Sequence, residues 1–162
     1  MLPVIRDLYA HQAWADAEMW RYAEPYTPEK RILELLNHIH AVQRFFLSVA
    51  EGEALTREEL MVELPAAGLK QSYRRYHERV GSYLPKVRES HLNDLVNVPW
   101  FPTVQPHVGE ALMQSALHSI HHRAQVVMLA HERGAETGPV DYIVWVTKSR
   151  PAPAWDFATS AT

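Results

Sequence analysis

Four long segments of this chain carry apolar residues at helical spacing, and each is cut off by proline or glycine. Helical spacing repeated over some 20 residues fixes helix as the element type, and short breaks fix neighbours as packing partners. The first segment covers residues 2–24 and stops at Pro25. Thr27-Pro28 is a helix start, with Thr as N-cap and Pro in the first turn. The second helix runs on to about Ala50, where Gly52 can end it. Residues 53–67 form a connector with one helical turn around Thr56-Arg57-Glu58-Glu59. A third helix spans 69–92, with Pro85 as a kink or early break. Residues 96–107 contain Pro99, Pro102 and Pro106, a density that excludes a helix and predicts an extended crossover with a brief edge strand. The fourth helix covers 109–133 and ends at Gly134, and Pro139 opens a short fifth over 140–146. The expected fold is all-α, a four-helix bundle with a long crossover before the last long helix and a short fifth helix. The domain is expected over 1–147, and 148–162 as a loose tail from which Trp155 and Phe157 are able to dock.

Composition narrows the function. A chain of 162 residues suits one domain with a real core. No apolar run approaches the roughly 18–20 residues that span a bilayer, and Met1 to Arg6 has no basic stretch leading into an apolar one, so a cytoplasmic protein is expected. Cysteine is absent, which excludes disulfides, thiolate metal sites and a Cys nucleophile. A net charge of −3 argues against nucleic acid as partner. Ten His is the unusual count, and their positions decide what it means.

Each residue turns a helix by about 100°. In the second helix Leu35, Val42, Phe45 and Val49 fall on the side of His38, whereas His40 points roughly 160° away, so His38 is expected to face the core and His40 not. Taken alone, His38 reads sooner as a buried ring satisfied by one hydrogen bond than as a ligand. In the last long helix His118 and His122 stand at i and i+4 and project from one face, about 40° apart. Two such imidazoles can converge on one ion at bond lengths of about 2.0–2.1 Å. His118 with His121 is the other geometrically possible pair. The first pair is preferred because Ala111, Ser115, Val126 and Leu129 continue its stripe. His38, His118 and His122 are therefore the candidate metal ligands, with Gln125, Ser115, Glu34 and Glu18 as candidate partners for their second ring nitrogens.

The same residues carry a family likeness. Asn37-His38-Ile39 with Arg44 resembles the first metal motif of the DinB-like (DinB/YfiT) superfamily. The run His118-Ser119-Ile120-His121-His122-Arg123-Ala124-Gln125 is similar to its HxxxHRGQ motif, with Ala124 in the place of the usual Gly. Arg133-Gly134, then Pro139-Val140-Asp141-Tyr142-Ile143 and Trp145, resemble its ending, so that the likeness covers roughly residues 2–146. The resemblance implies an up-up-down-down bundle, a homodimer, and zinc or nickel on His38, His118 and His122. It also implies kinship with transferases and isomerases that use low-molecular-weight thiols such as bacillithiol or mycothiol.

Three neutral ligands leave coordination positions open, a catalytic rather than a structural arrangement. The leading expectation is a metal-dependent transferase in which the ion activates a low-molecular-weight thiol for transfer to a small electrophilic substrate. A hydrolase using metal-bound hydroxide is the alternative, and a non-enzymatic, stress-related metal-binding dimer is a third. No general base stands out. His11, with Trp14 and Glu18, lines the pocket mouth or merely sits on a half-exposed helix face. Arg123 points about 120–140° from the His pair and is not assigned to catalysis. Opposite that pair, Leu112, Met113, Ala116, Leu117, Ile120, Ala124 and Val127 form a second apolar face, which a partner subunit or the crossover and fifth helix would cover.

Overall fold

The apolar periods fold as helices, and a computed structural model describes them over residues 1–53 and 55–157. Helix α1 is Leu2–Ala23, α2 Lys30–Ala50, α3 Arg57–Leu60, α4 Ala66–Tyr83, α5 Val108–Glu132 and α6 Tyr142–Thr147. Local chemistry accounts for most ends. Gly52 and Gly134 follow α2 and α5 with φ of 78° and 97°, the left-handed conformation that closes a helix without a Cβ clash. Thr56 and Glu59 bond reciprocally and start the single turn of α3. At the head of α5, Glu110 accepts from both the backbone and the ring of His107.

Two boundaries differ from expectation. Thr27 is not the cap of α2: its hydroxyl donates to the Glu24 carbonyl at 2.8 Å, closing a 3-10 turn over Glu24–Tyr26, and the cap position falls to Glu29. Of the two readings of Pro85 the early break holds, and α4 ends at Tyr83 instead of running on to 92. Two 3-10 turns follow, Leu84–Lys86 and Glu89–Asn93. The expected edge strand of the crossover is reduced, among the described residues, to one antiparallel bridge between Leu95 and His107.

Side-chain pairs give the helix directions. Ile5 shares a cluster with Leu47 and Trp20 one with Ile32 and Leu36, so α1 and α2 are antiparallel, and Asp16 meets His77 while Arg6 reaches Leu84, so α1 and α4 are too. His40 with Ser72 and Ala50 with Tyr83 make α2 and α4 parallel, and Tyr9 with Leu112 and Asp16 with Arg123 make α1 and α5 parallel. The four long helices thus run up, down, down, up. This corrects the up-up-down-down order that the family likeness implied. The connection that travels the length of the bundle is the one carrying α3, between the second and third long helices.

The two largest apolar clusters among the described residues lie along the bundle, with a polar layer between them. One gathers Ile5, Leu47, Val80, Leu84 and Leu112, the other Trp20, Ile32, Leu36, Ile39, Leu69 and Val126. Trp155, from the segment expected to be loose, is buried in the second, and Lys70 lies over the Phe157 ring. Residues 158–162 of that tail lie outside the described residues. Between the cores, buried Asp16 takes two bonds on Oδ1 from Arg123, at 2.7 and 3.0 Å, and two on Oδ2, from Gln43 at 2.7 Å and His77 at 2.9 Å. Gln12 and Gln43 both donate to Ser119. The far face of α5 is left open by the crossover and α6: Met113, Leu117, Ile120 and Met128 are all exposed. Among the described residues no helix is long and apolar enough to cross a membrane.

His40 belongs to this polar layer and overturns its assignment to the outside. It is buried, stacked on Tyr73, and 2.7 Å from the Ser72 hydroxyl. Burial, helped by the charges of Arg44 and His77, pushes its pKa down to about 3. The unfolded chain takes up this proton near 6.5 and the folded one does not, so stability is whole above that pH. It falls by about 1.4 kcal/mol per pH unit on acidification between those two values. Urea titrations of His40→Phe should therefore show a shallower loss of stability between about pH 6.5 and 4 than the wild type. An equal slope would contradict the assignment.

Candidate metal centre

Because α2 and α5 run antiparallel side by side, a residue midway along one faces a residue midway along the other. His38 on α2 meets His118 on α5 in this way, and His122 follows one turn later on the same face. The Nε2 atoms of His38 and His118 are 3.1 Å apart. Ring centroids stand 4.8 Å apart for His38 and His118, 4.6 Å for His38 and His122, and 4.4 Å for His118 and His122. One nitrogen from each ring lies within 4.8 Å of the others, so the group could hold a metal ion. Two ligands on a tetrahedral ion with bonds of about 2.1 Å are roughly 3.4 Å apart, close to the spacing of the first pair. All three residues singled out in the sequence are thus brought together.

The motif likeness has an independent counterpart over most of the chain: the sequence model of the DinB family matches residues 7–151. The chain belongs to the DinB family. No curated protein and no solved structure gives a significant match.

Electrostatics in this DinB-family site suits a cation that needs neutral ligands. Burial, then the neighbouring His122 and His38, push His118 down to about 4. Burial, His122 and Arg31 also lower His38. Lone pairs on these rings therefore persist into mildly acidic solution, as metal ligation requires. The His122 ring is oriented by Gln125, whose Oε1 accepts from Nδ1 at 3.0 Å, leaving Nε2 as the free ligand atom. The same amide donates to His121 at 3.2 Å, which ties His121 to the site while keeping it outside the ligand group.

Burial corrects the expected picture in one respect. His38 is exposed, and His118 and His122 are half-buried. The group stands at the edge of the α2–α5 seam rather than in the core, so it is open to solvent on one side. Beside His38 lies a pocket of about 180 Å³ walled by Glu34, Asn37, Ala41 and Met61 to Glu63. Asn37 sets that wall by clamping Leu64, donating to its carbonyl at 3.1 Å and accepting from its N–H at 2.8 Å. The position next to the first histidine thus holds the returning connector in place.

Other expected participants stand elsewhere. His11 is buried among Trp14, Tyr142 and Trp145 and donates to the Val140 carbonyl, so it anchors α6 instead of lining a pocket mouth. Glu18 pairs with Arg21 and Tyr22. Ser115 accepts Ser119 through its carbonyl, inside the polar layer. Sequence reasoning placed Arg123 away from the histidines and missed its partner Asp16. The signal was there: a lone carboxylate within Trp14-Ala15-Asp16-Ala17 and an arginine on a buried helix each need a counter-charge.

Proposed function

We propose that this DinB-family chain is a metal-dependent transferase in which His38, His118 and His122 hold one divalent ion, zinc or nickel, that activates a low-molecular-weight thiol toward a small electrophile. The observation that carries the reading is the convergence of three imidazoles at the open edge of the bundle, one ligand atom of each within 4.8 Å of the others. A bound divalent ion would supply Lewis acidity, lowering the pKa of a thiol or water in an open coordination position. The chain's own groups do the rest. Cysteine is absent, so the thiol arrives as a cosubstrate. Glu34 and Glu63 on the pocket wall are the carboxylates available to take up its proton, and Asn37 keeps that wall in place. Gln125 holds the His122 ring.

Cobalt-loaded protein is the test. Cysteine, glutathione, bacillithiol and mycothiol are each added, and the visible spectrum and consumption of a model electrophile are followed. The thiol reading expects a spectral change with at least one thiol and conjugation that depends on it. Electrophile hydrolysis without any thiol would favour the hydrolytic alternative, and no spectral response to any thiol would sink the transferase. Gln125→Ala should weaken zinc binding by about 10- to 100-fold, the usual effect of removing the group that orients a ligand His. Unchanged affinity by competition with a chromogenic chelator would contradict that role.

The reading includes a homodimer, supported by the uncovered apolar face of α5 at Met113, Leu117, Ile120 and Met128. Sedimentation is expected to give twice the chain mass at micromolar concentration. A monomer there would remove the dimer without touching the metal centre.

A further inference from the structure

A second, larger pocket lies on the same α2–α5 seam, and it is apolar. Phe46, Val98 and Ala111 are buried and form its floor, exposed Phe101 and Val104 of the crossover form its outer wall, and exposed Glu110 and Gln114 are the polar residues at its rim. Its volume is about 400 Å³, within the range of small-molecule sites. The helix register places it next to the three histidines. Gln114 precedes His118 by one turn, roughly 6 Å of rise, and Phe46 follows His38 by two turns, roughly 12 Å. Because α2 and α5 are antiparallel, both displacements point the same way along the seam. Val42, one turn from His38, packs against the same cluster as Phe46, Val98 and Ala111 and so links the α2 side of the histidine site to the pocket.

We propose that this pocket takes the hydrophobic part of the substrate, an aryl group or a short alkyl chain whose electrophilic end lies at the three histidines. The inference rests on the metal-centre reading for the reacting end, but the pocket itself does not need the ion. Three features favour a small molecule as occupant. The cavity is of ligand size. It continues the histidine site along one seam. Exposed Phe101 gives its outer wall an aromatic side chain of the kind that small apolar groups pack against. The substrate class that follows is a small electrophile with an apolar arm of roughly 6–12 Å. An all-polar electrophile would leave the pocket floor in contact with water.

N-alkylimidazoles from methyl to octyl are the probe, since the ring binds a metal ion and the chain samples the pocket. Their affinities are measured by calorimetry on cobalt-loaded and metal-free protein, with the visible spectrum following coordination. Each added methylene should tighten binding by about three- to fourfold until the pocket is full. Gln114→Trp and Val104→Glu change exposed positions that the fold does not depend on. In both, the chain-length gain should vanish while N-methylimidazole binds cobalt-loaded protein as before. Affinity flat across the series, or a gain that both variants retain, would overturn the proposal and leave the metal centre standing. Failure to take up cobalt, together with a chain-length gain in metal-free protein that the variants abolish, would sink the metal reading and leave the pocket. No gain, together with dissociation of a dimer by Val104→Glu, would assign the pocket to a second copy of the chain and overturn the proposal.

Discussion

Arg123→Ala should destabilise the protein by about 3–5 kcal/mol, the cost of stranding a buried charge by removing its partner. Asp16 and Arg123 are both buried between the two apolar cores, and two of the four bonds to the Asp16 carboxylate come from this guanidinium. Burial alone would raise the Asp16 pKa. The charges of Arg123 and His77 and their hydrogen bonds outweigh it and hold the group down at about 2. The sign follows: the unfolded carboxyl binds its proton near 3.8, so the Asp16 contribution is whole above that pH and is lost as pH falls through about 2. Without Arg123 the balance reverses, and the carboxyl is left buried with Gln43 and His77 alone. Since small domains are stable by only about 5–15 kcal/mol, a loss of this size is a large fraction of the whole. Arg123→Lys keeps the charge but not the two-pronged bond and should fall between wild type and alanine. Urea unfolding near neutral pH is the measurement, and a loss under about 1 kcal/mol for Arg123→Ala would show that the pair does not hold the layer together.

Metal-linked stability is the second large effect. An ion that binds only the folded chain adds about 4 kcal/mol when its free concentration is a thousand times its Kd. Saturating zinc or nickel should therefore raise the melting temperature of wild-type protein by several degrees at least, and a chelator should reverse the rise. His118→Ala should abolish the response. His118 touches both other rings, with Nε2 3.1 Å from that of His38 and its ring 4.4 Å from that of His122. Neutral ligands are a condition of the effect, and His118, held down to about 4, meets it through the mildly acidic range. A shift of equal size in His118→Ala would place the ion elsewhere.

The helices and the three histidines were legible in the sequence for different reasons. Helix period is a local property, so α1, α2, α4 and α5 are readable from spacing and punctuation. His118 and His122 are readable because i and i+4 share a face whatever the tertiary context. Helix direction is not local. Residues 51–65 have a reach of roughly 50 Å when extended, and α2 is roughly 31 Å long. The connector carrying α3 is therefore able to return along α2 and make α4 parallel to it, which no pattern within a helix reveals. The burial of α2 was misread for a related reason. Leu35, Val42, Phe45 and Val49 on one side and Leu36 and Leu47 on the other are both apolar, because α2 packs against both α5 and α4. Periodicity within one helix could not say which side was central, and the side carrying buried His40 and Gln43 is the deeper one. His38 reached the right group although its expected burial was wrong: what brings it to His118 is the antiparallel register of α2 and α5.

Metal content of untagged protein by elemental mass spectrometry tests the central claim most directly, on wild type and on five alanine variants. About one zinc or nickel per chain is expected in the wild type, lost in His38→Ala, His118→Ala and His122→Ala and kept in His40→Ala and His121→Ala. A wild type that holds no metal even after refilling with zinc or nickel would contradict it, as would retention of the ion in all three ligand variants.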